Sequence, residues 1–233
     1  MRVTQPVYVF ICLLAVTLIL NSGEILADQP DTTEREGKPT VLIWGDSLSA
    51  AYGIPVESGW VSLLQAKYQD ELSIVNGSIS GETTQGGLTR LPDALKRHNP
   101  RLLVLGLGAN DGLRGIKLVV MQENLQAMID LARKQDIAVV LIGIRIPLNY
   151  GFAYTRKFEQ VYVDLAESNK LPLLPFLLEG VALDYDLMQA DGLHPTAAAQ
   201  PTVLAHVMTV LAPAISAILE KAKPAPVSVD AAD

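Results

Sequence analysis

Three side chains in the sequence are of the types that together transfer an acyl group, although they are far apart along the chain. Ser47 follows an apolar run that ends at Trp44, and Asp191 and His194 lie three residues apart near the other end. A serine hydroxyl is a weak nucleophile until a neighbouring imidazole takes its proton, which histidine can do near neutral pH. A carboxylate then orients the imidazole and stabilises its protonated form. The residue types therefore predict Ser47 as the nucleophile, His194 as the base and Asp191 as the orienting acid.

Acyl transfer also needs hydrogen-bond donors for the carbonyl oxygen that becomes negatively charged. Three donors are available at segments that we expect to lie at neighbouring strand ends: the backbone N–H groups of Ser47 and Gly81 and the side-chain amide of Asn110. Glycine at position 81 lets the backbone approach a substrate closely. These donors predict an oxyanion hole beside Ser47.

Each of these segments also has a simpler interpretation. Gly-Asp-Ser after a strand is often only a turn and a helix cap, because Asp and Ser side chains satisfy free N–H groups. Asp191 and His194 alone could form a loop hydrogen bond or half of a metal site. The metal interpretation lacks further ligands, since His98 and His206 fall inside helical patterns.

No segment fits a cofactor-binding motif. Gly106 and Gly108 follow a predicted strand as in a dinucleotide-binding fingerprint, but the third glycine, Gly112, comes one position too late. A phosphate-binding Gly-x-x-x-x-Gly-Lys-Ser/Thr loop is absent from the sequence, and Ser49 replaces the last glycine of the Gly-x-Ser-x-Gly elbow of α/β-hydrolases. We therefore expect neither a cofactor nor a metal ion.

The elements that must position these residues alternate along the chain. Short apolar runs bounded by turn residues predict buried parallel strands at Thr40–Trp44, Leu72–Val75, Leu102–Leu107, Ile137–Ile144 and Leu171–Phe176. Amphipathic stretches predict helices at Trp60–Gln69, Leu88–His98, Leu118–Gln135, Arg156–Asn169 and about Pro195–Lys221, with Pro201 near the first turns of the last helix or kinking it. This alternation predicts one open α/β sheet with helices on both faces, in which chemistry gathers at the carboxyl ends of the strands.

The composition limits the classes of function. The 233 residues include 18 Lys and Arg against 25 Asp and Glu, a net charge of −7, which argues against a nucleic-acid-binding protein. Hydrophobic residues make up 49% of the chain, which excludes a disordered protein. The single cysteine excludes an intramolecular disulfide and any multi-cysteine metal site.

The two ends of the chain differ from the middle. Arg2 precedes an apolar stretch over residues 7–20 that is too short to span a membrane, and Ala27 is a small residue suited to cleavage. We therefore expect residues 1–27 to be a signal peptide cleaved near Ala27, and the mature protein to be periplasmic or secreted. We expect residues 28–38 to form a flexible lead-in, residues 39–222 a single domain and residues 223–233 a disordered tail.

Four sequence blocks resemble those of the SGNH/GDSL hydrolases. They are Gly45–Ala50 (GDSLSA), Ser78–Gly81 (SISG), Asn110–Gly115 (NDGLRG) and Met188–Pro195 (MQADGLHP), and they match that family in order and spacing. The resemblance covers about residues 40–220 and is strongest to the subgroup of bacterial periplasmic acyl-CoA thioesterase I, lysophospholipase and arylesterase. It implies a flavodoxin-like three-layer α/β/α sandwich with five parallel strands in the order 2-1-3-4-5. It also implies the catalytic and oxyanion-hole roles given above.

The function implied by the resemblance is that of a serine hydrolase. Such an enzyme would cleave acyl esters and thioesters, among them aryl esters, acyl-CoA and lysophospholipids, through an acyl-enzyme intermediate. Lysophospholipase or carbohydrate and polysaccharide deacetylase remain alternatives for the main physiological activity. A flavodoxin-like binding module without catalysis would also use strand-end loops, but it would have no need of all four blocks. We expect a monomer without stable membrane insertion once the leader is cleaved.

Two further features concern the substrate pocket. Ala109 stands where the subgroup usually has the second glycine of Gly-Gly-Asn-Asp, and a positive φ there would strain alanine by about 1 kcal/mol. We expect Leu113 and Ile116 of the following loop to border an acyl pocket, together with Pro147 after the fourth strand. We also expect Asp46 to contact the substrate.

Overall fold

A five-stranded parallel sheet is the centre of the computed structural model, which describes residues 37–222. Its strands are β1 (Thr40–Gly45), β2 (Ser73–Asn76), β3 (Leu102–Gly106), β4 (Ala138–Ile142) and β5 (Leu173–Leu174). Their order across the sheet is β2-β1-β3-β4-β5, and each neighbouring pair is parallel. The predicted α/β fold and the implied strand order are therefore confirmed.

Helices cover both faces of the sheet. They are α1 (Trp60–Lys67), α2 (Thr84–His98), α3 (Ala109–Leu113), α4 (Leu118–Arg133), α5 (Phe152–Asn169) and α6 (Gln200–Ala222). Successive residues of a strand point to opposite faces. Leu42 and Trp44 of β1 accordingly pack with buried residues of α2, α4 and α5, whereas Val41 and Ile43 pack with those of α1 and α6. Two hydrophobic cores separated by the sheet make the three-layer sandwich.

Two helices begin earlier than predicted. Helix α2 begins at Thr84 rather than at Leu88, because the Thr83 side chain caps it by accepting a 3.3 Å hydrogen bond from the Gly86 N–H. Two glycines in this first turn are poor helix formers, so the sequence pattern concealed it. A Cβ atom at position 87 would overlap a methyl group of Leu107, so a larger residue there would force the buried Leu107 side chain to shift. Helix α5 similarly begins at Phe152 rather than at Arg156.

The last two elements are shorter than predicted. Strand β5 contains only Leu173–Leu174 of the predicted run 171–176. The final helix begins at Gln200, after a 3-10 turn over Ala197–Ala199, rather than at Pro195. Pro201 is therefore the second residue of α6, where its missing N–H removes no intrahelical hydrogen bond.

One segment within residues 37–222, Ala197–Ala222, is long and apolar enough to cross a membrane by length and composition alone. In the folded chain Val203, Val207 and Leu211 of this segment are buried in the core between α6 and the sheet. The predicted leader (residues 1–27), most of the predicted lead-in (residues 28–38) and the predicted tail (residues 223–233) lie outside the described residues.

Candidate active site

Ser47 lies directly beyond the carboxyl end of β1, next to the central strand β3. The preceding residue, Asp46, is 1% exposed, and its Oδ1 accepts a 3.1 Å hydrogen bond from the Leu48 N–H. The Asp46 carbonyl oxygen accepts further bonds from the N–H groups of Ser49 and Ala50, at 3.1 and 2.9 Å. This buried aspartate thus fixes the turn that presents the Ser47 hydroxyl at the edge of the sheet.

The charge of Asp46 is poorly accommodated in this position. Burial raises the pKa of its carboxyl from 3.8 to about 6, against the opposing effect of the hydrogen bond from Leu48. Its Oδ2 accepts no hydrogen bond from any residue in the described range. We expected Asp46 to contact the substrate, but its buried side chain is not among the residues that line the cavity described below.

Replacing Asp46 with asparagine should change how stability depends on pH. The pKa of the Asp46 carboxyl is about 6 in the folded protein and 3.8 in the unfolded chain. Between about pH 4 and 6 this carboxyl therefore binds more protons in the folded wild type, and its contribution to stability falls as pH rises. The variant lacks this titration. Its free energy of unfolding, minus that of the wild type, should therefore increase by about 2 kcal/mol from pH 4 to 8.

Urea unfolding at the two pH values measures this difference. Asp93→Asn is the matched control, because the Asp93 side chain is exposed in the folded protein, and its difference from the wild type should change much less. A difference for Asp46→Asn that does not vary with pH would contradict the assignment of a buried, destabilised charge.

His194 and Asp191 lie on a loop that reaches Ser47 from the C-terminal part of the chain. The Nε2 atom of His194 is 2.8 Å from Ser47 Oγ, and its Nδ1 atom is 2.7 Å from Asp191 Oδ2. Asp191 Oδ1 accepts the N–H groups of Leu193 and His194, at 2.9 and 3.0 Å, which folds the loop into a tight turn. The structure therefore brings the three predicted residues into one continuous hydrogen-bonded chain.

The hydrogen bonds to Asp191 keep its carboxylate ionised. Partial burial alone would raise the pKa, but the bonds from the His194 side chain and from the backbone N–H groups of Leu193 and His194 lower it to about 2. A carboxylate in this state holds the proton of imidazole on Nδ1, so that Nε2 is free to accept the proton of Ser47.

The predicted oxyanion-hole residues meet beside Ser47. Gly81 has a left-handed φ of 79°, a conformation that glycine adopts without strain. The Asn110 side chain is oriented by a 3.0 Å hydrogen bond from its Nδ2 to the Glu82 carbonyl oxygen. Ser47, Gly81 and Asn110 all line the same cavity. One of the two amide hydrogens of Asn110 is thus used to fix its orientation, and the other remains for a ligand.

This cavity has a volume of about 1090 Å³ and is lined mainly by apolar side chains. It extends from Ser47 and His194 to residues of the loops after β3, β4 and β5. The lining apolar residues include Leu113, Ile146, Pro147, Leu148, Phe152, Phe176 and Leu183. Such a space accommodates a flexible hydrocarbon chain whose carbonyl end lies at Ser47.

The predictions for the pocket lining separate into two groups. Leu113 and Pro147 line the cavity, whereas Ile116 does not. Helix α3 ends at Leu113, and Gly115 then turns the chain with a φ of 67°, so Ile116 no longer follows the same face. Ala109 is the first residue of α3 and the left-handed φ of 126° belongs to Gly108, so the strain considered for alanine does not arise.

Comparison with known proteins agrees with this geometry. Residues 43–200 match the GDSL-like Lipase/Acylhydrolase family. The chain belongs to this family. It is therefore an enzyme that hydrolyses acyl esters, as the four sequence blocks implied.

Individual relatives of this acylhydrolase cover most of its length. It is 46% identical to Esterase TesA of Pseudomonas aeruginosa over 184 residues, which are 78% of this chain and 92% of the relative. It is 44% identical to Thioesterase 1/protease 1/lysophospholipase L1 of Escherichia coli over 164 residues, 70% of this chain and 79% of the relative. The crystal structure of the psychrotrophic esterase EstA from Pseudoalteromonas sp., inhibited by monoethylphosphonate, superposes with a TM-score of 0.73 at 40% identity, covering 77% and 100% of the two chains.

The acylhydrolase site contains a buried acid that the sequence patterns did not predict. Asp111 is fully buried, and its carboxylate accepts the N–H and the hydroxyl of Thr84 at 2.8 and 2.6 Å. These bonds join the N-terminus of α2 to α3 and so hold the Gly81 and Asn110 segments together. Thr84 and Asp111 are 27 residues apart in the sequence, and no periodic pattern connects them. The one signal that could have identified Asp111 is its position next to Asn110.

Within residues 37–222, no group of three or more His, Cys, Asp or Glu side chains is arranged to hold a metal ion. The side chains of Ser47, His194 and Asp191 are instead joined to one another by the hydrogen bonds given above.

Proposed function

We propose that the enzyme cleaves acyl esters and thioesters by a two-step serine mechanism. The observation that carries the proposal is the hydrogen-bonded chain Ser47–His194–Asp191, with distances of 2.8 and 2.7 Å, at one end of a large apolar cavity. In the first step Ser47 Oγ attacks the carbonyl carbon while His194 Nε2 takes the hydroxyl proton. The tetrahedral oxyanion accepts hydrogen bonds from the N–H groups of Ser47 and Gly81 and from Asn110 Nδ2.

The tetrahedral intermediate then collapses. His194 gives its proton to the leaving oxygen or sulfur, the bond from the carbonyl carbon to that atom breaks, and an acyl-Ser47 ester remains. Water repeats the sequence: His194 takes a proton from it, its oxygen attacks the acyl carbon, and the proton returns to Ser47 Oγ. Asp191 stays ionised throughout and stabilises the imidazolium.

The cavity favours substrates with an apolar acyl chain. Leu113, Ile146 and Phe152 would contact such a chain, whereas an acetyl group on a carbohydrate would leave most of this surface uncovered. Similar proteins carry the names esterase, arylesterase and thioesterase 1/protease 1/lysophospholipase L1. We therefore propose fatty acyl esters and thioesters, including acyl-CoA and lysophospholipids, in preference to acetylated carbohydrates.

Hydrolysis rates on p-nitrophenyl esters of increasing chain length, with acyl-CoA and lysophospholipid of matched chains, test this proposal. We expect kcat/KM to rise from acetyl to longer chains. Leu113→Ser should lower kcat/KM for long chains by about tenfold, since about 1–3 kcal/mol of apolar contact is lost, and should change acetyl hydrolysis little. Equal losses on both, or wild-type activity confined to acetyl esters, would contradict an acyl-chain pocket.

We further propose that the protein acts as an exported monomer. A single chain supplies Ser47, His194 and Asp191, so the proposed mechanism needs no second subunit. The apolar face of α6 that includes Val203 and Val207 is covered by the sheet, which favours a water-soluble enzyme domain over one inserted in a membrane. The mass of the protein recovered from the periplasm or medium should correspond to cleavage near Ala27, and an uncleaved chain would contradict export by this route.

A further inference from the structure

Gln189 joins the two loops that carry the nucleophile and the base. Its half-buried side chain donates from Nε2 to the carbonyl oxygen of Tyr52, at 2.8 Å, and to that of Pro195, at 3.0 Å. Tyr52 belongs to the loop that follows Ser47, and it precedes Gln189 by 137 residues in the chain. One side-chain amide therefore connects the Ser47 loop to the His194 loop, and we call this pair of hydrogen bonds the Gln189 bridge.

The main chain of Gln189 also closes the turn that holds the acid and the base. Its N–H donates to the His194 carbonyl oxygen at 2.7 Å, and its own carbonyl oxygen accepts the Gly192 N–H at 2.9 Å. The backbone of Gln189 is thereby bonded both to His194, at the far end of the segment 189–194, and to Gly192 within it. A change in the position of Gln189 is transmitted directly to His194.

Tyr52 is the feature that the Gln189 bridge holds in place. Its ring packs on the imidazole of His194, with the ring centroids 4.6 Å apart and the planes at 42°. The backbone on both sides of it has a left-handed φ, 58° at Ala51 and 73° at Gly53. An alanine in this conformation is strained and persists only where its surroundings hold it. A Cβ atom at Gly53 would overlap the Gln189 side-chain amide, so the two residues fit closely.

The packing of Tyr52 adds a contact on a face of the imidazole that the hydrogen bonds of His194 do not reach. Those bonds hold Nδ1 and Nε2 in the plane of the ring, and the Cβ–Cγ bond holds a third point. The Tyr52 ring lies against one face and so limits tilting of the imidazole out of this plane. The π-face of tyrosine also stabilises a cation within about 6 Å, which favours the imidazolium that forms during catalysis.

We propose that Gln189 is a positioning residue that acts through Tyr52 to orient His194 for proton transfer with Ser47. The inference rests on the proposed function for its effect on rate, but the placement of Tyr52 against His194 can be measured without any activity. Gln189 does not itself touch the reacting atoms, since its amide is occupied by the Tyr52 and Pro195 carbonyl groups.

Gln189→Met tests the bridge, because methionine has a similar length and no donor. We expect kcat for a p-nitrophenyl ester to fall by about tenfold, as misplaced catalytic groups lose rate steeply, with KM changed less than twofold. Gly53→Ala, which displaces the amide from the other side, should lower kcat in the same direction. Gln135→Met, at an exposed glutamine after α4, is the matched control and should behave as the wild type.

The second measurement is the NMR chemical shift of the His194 ring protons. The Tyr52 ring should shift these signals in the wild type, and Gln189→Met should move them toward their positions in Tyr52→Leu. Unchanged His194 signals in Gln189→Met would overturn the proposal. This holds even if kcat falls, because a lower kcat with a lower melting temperature and unchanged His194 signals would show only general destabilisation. Moved signals support it even if the wild type hydrolyses no ester, a result that would contradict only the proposed function.

Discussion

Replacing Ser47 with alanine is expected to abolish nearly all hydrolysis, with kcat on p-nitrophenyl esters lower by about 10⁶. The substitution removes the atom that forms the acyl-enzyme and leaves the cavity and the oxyanion-hole donors in place. Residual hydrolysis should come from water activated by His194, because the donors still stabilise a tetrahedral oxyanion. The melting temperature should stay close to that of the wild type, since Ser47 is at the surface of the cavity and only half-buried.

His194→Ala provides an internal check on this result. Residues that act in one proton-transfer unit lose activity non-additively, so the double variant with Ser47→Ala should be about as inactive as either single variant. Ser80→Ala is the matched control, because Ser80 also lines the cavity and makes no hydrogen bond to His194. Labelling by a fluorophosphonate should be lost in Ser47→Ala and kept in Ser80→Ala. Retained hydrolysis by Ser47→Ala, or labelling of another residue, would contradict Ser47 as the nucleophile.

The site residues that directly follow a strand could be predicted from the sequence. Ser47 and Asn110 each follow a buried apolar run, and the carboxyl ends of parallel strands lie at one edge of the sheet. Asp191 and His194 were predictable as a pair because they are three residues apart. The order of the strands was not determined by apolar patterning and came from the resemblance of the four blocks.

The supporting contacts could not be predicted in the same way. The Asp111–Thr84 bonds connect two helices through residues 27 positions apart, and the Gln189 bridge connects two loops through residues 137 positions apart. Neither side of either pair has a periodic signal. Such contacts depend on the exact path of each loop. The expectation that Ile116 borders the acyl pocket depended on the same kind of detail. The turn at Gly115 directs Ile116 away from the cavity that Leu113 lines.

Asn110→Ala has the second largest expected effect, a decrease of kcat by about 10² to 10³ with little change in KM. The Asn110 amide is held by its 3.0 Å bond to the Glu82 carbonyl oxygen before any substrate binds, so it needs no reorganisation when the oxyanion forms. A ground-state carbonyl oxygen carries less charge than the oxyanion. The amide therefore stabilises the transition state more than the bound substrate, which places the loss in kcat rather than in KM.

The loss of the Glu82 bond is a second consequence of Asn110→Ala. Asn110→Asp keeps the shape of the side chain but also lacks both amide donors, to the oxyanion and to Glu82, so it should lose at least as much kcat as alanine. Asn149→Ala, at an exposed asparagine that does not line the cavity, is the matched control and should retain wild-type kinetics. A rise in KM at unchanged kcat would assign Asn110 to substrate binding. In that case the backbone N–H groups of Ser47 and Gly81 would form the oxyanion hole alone.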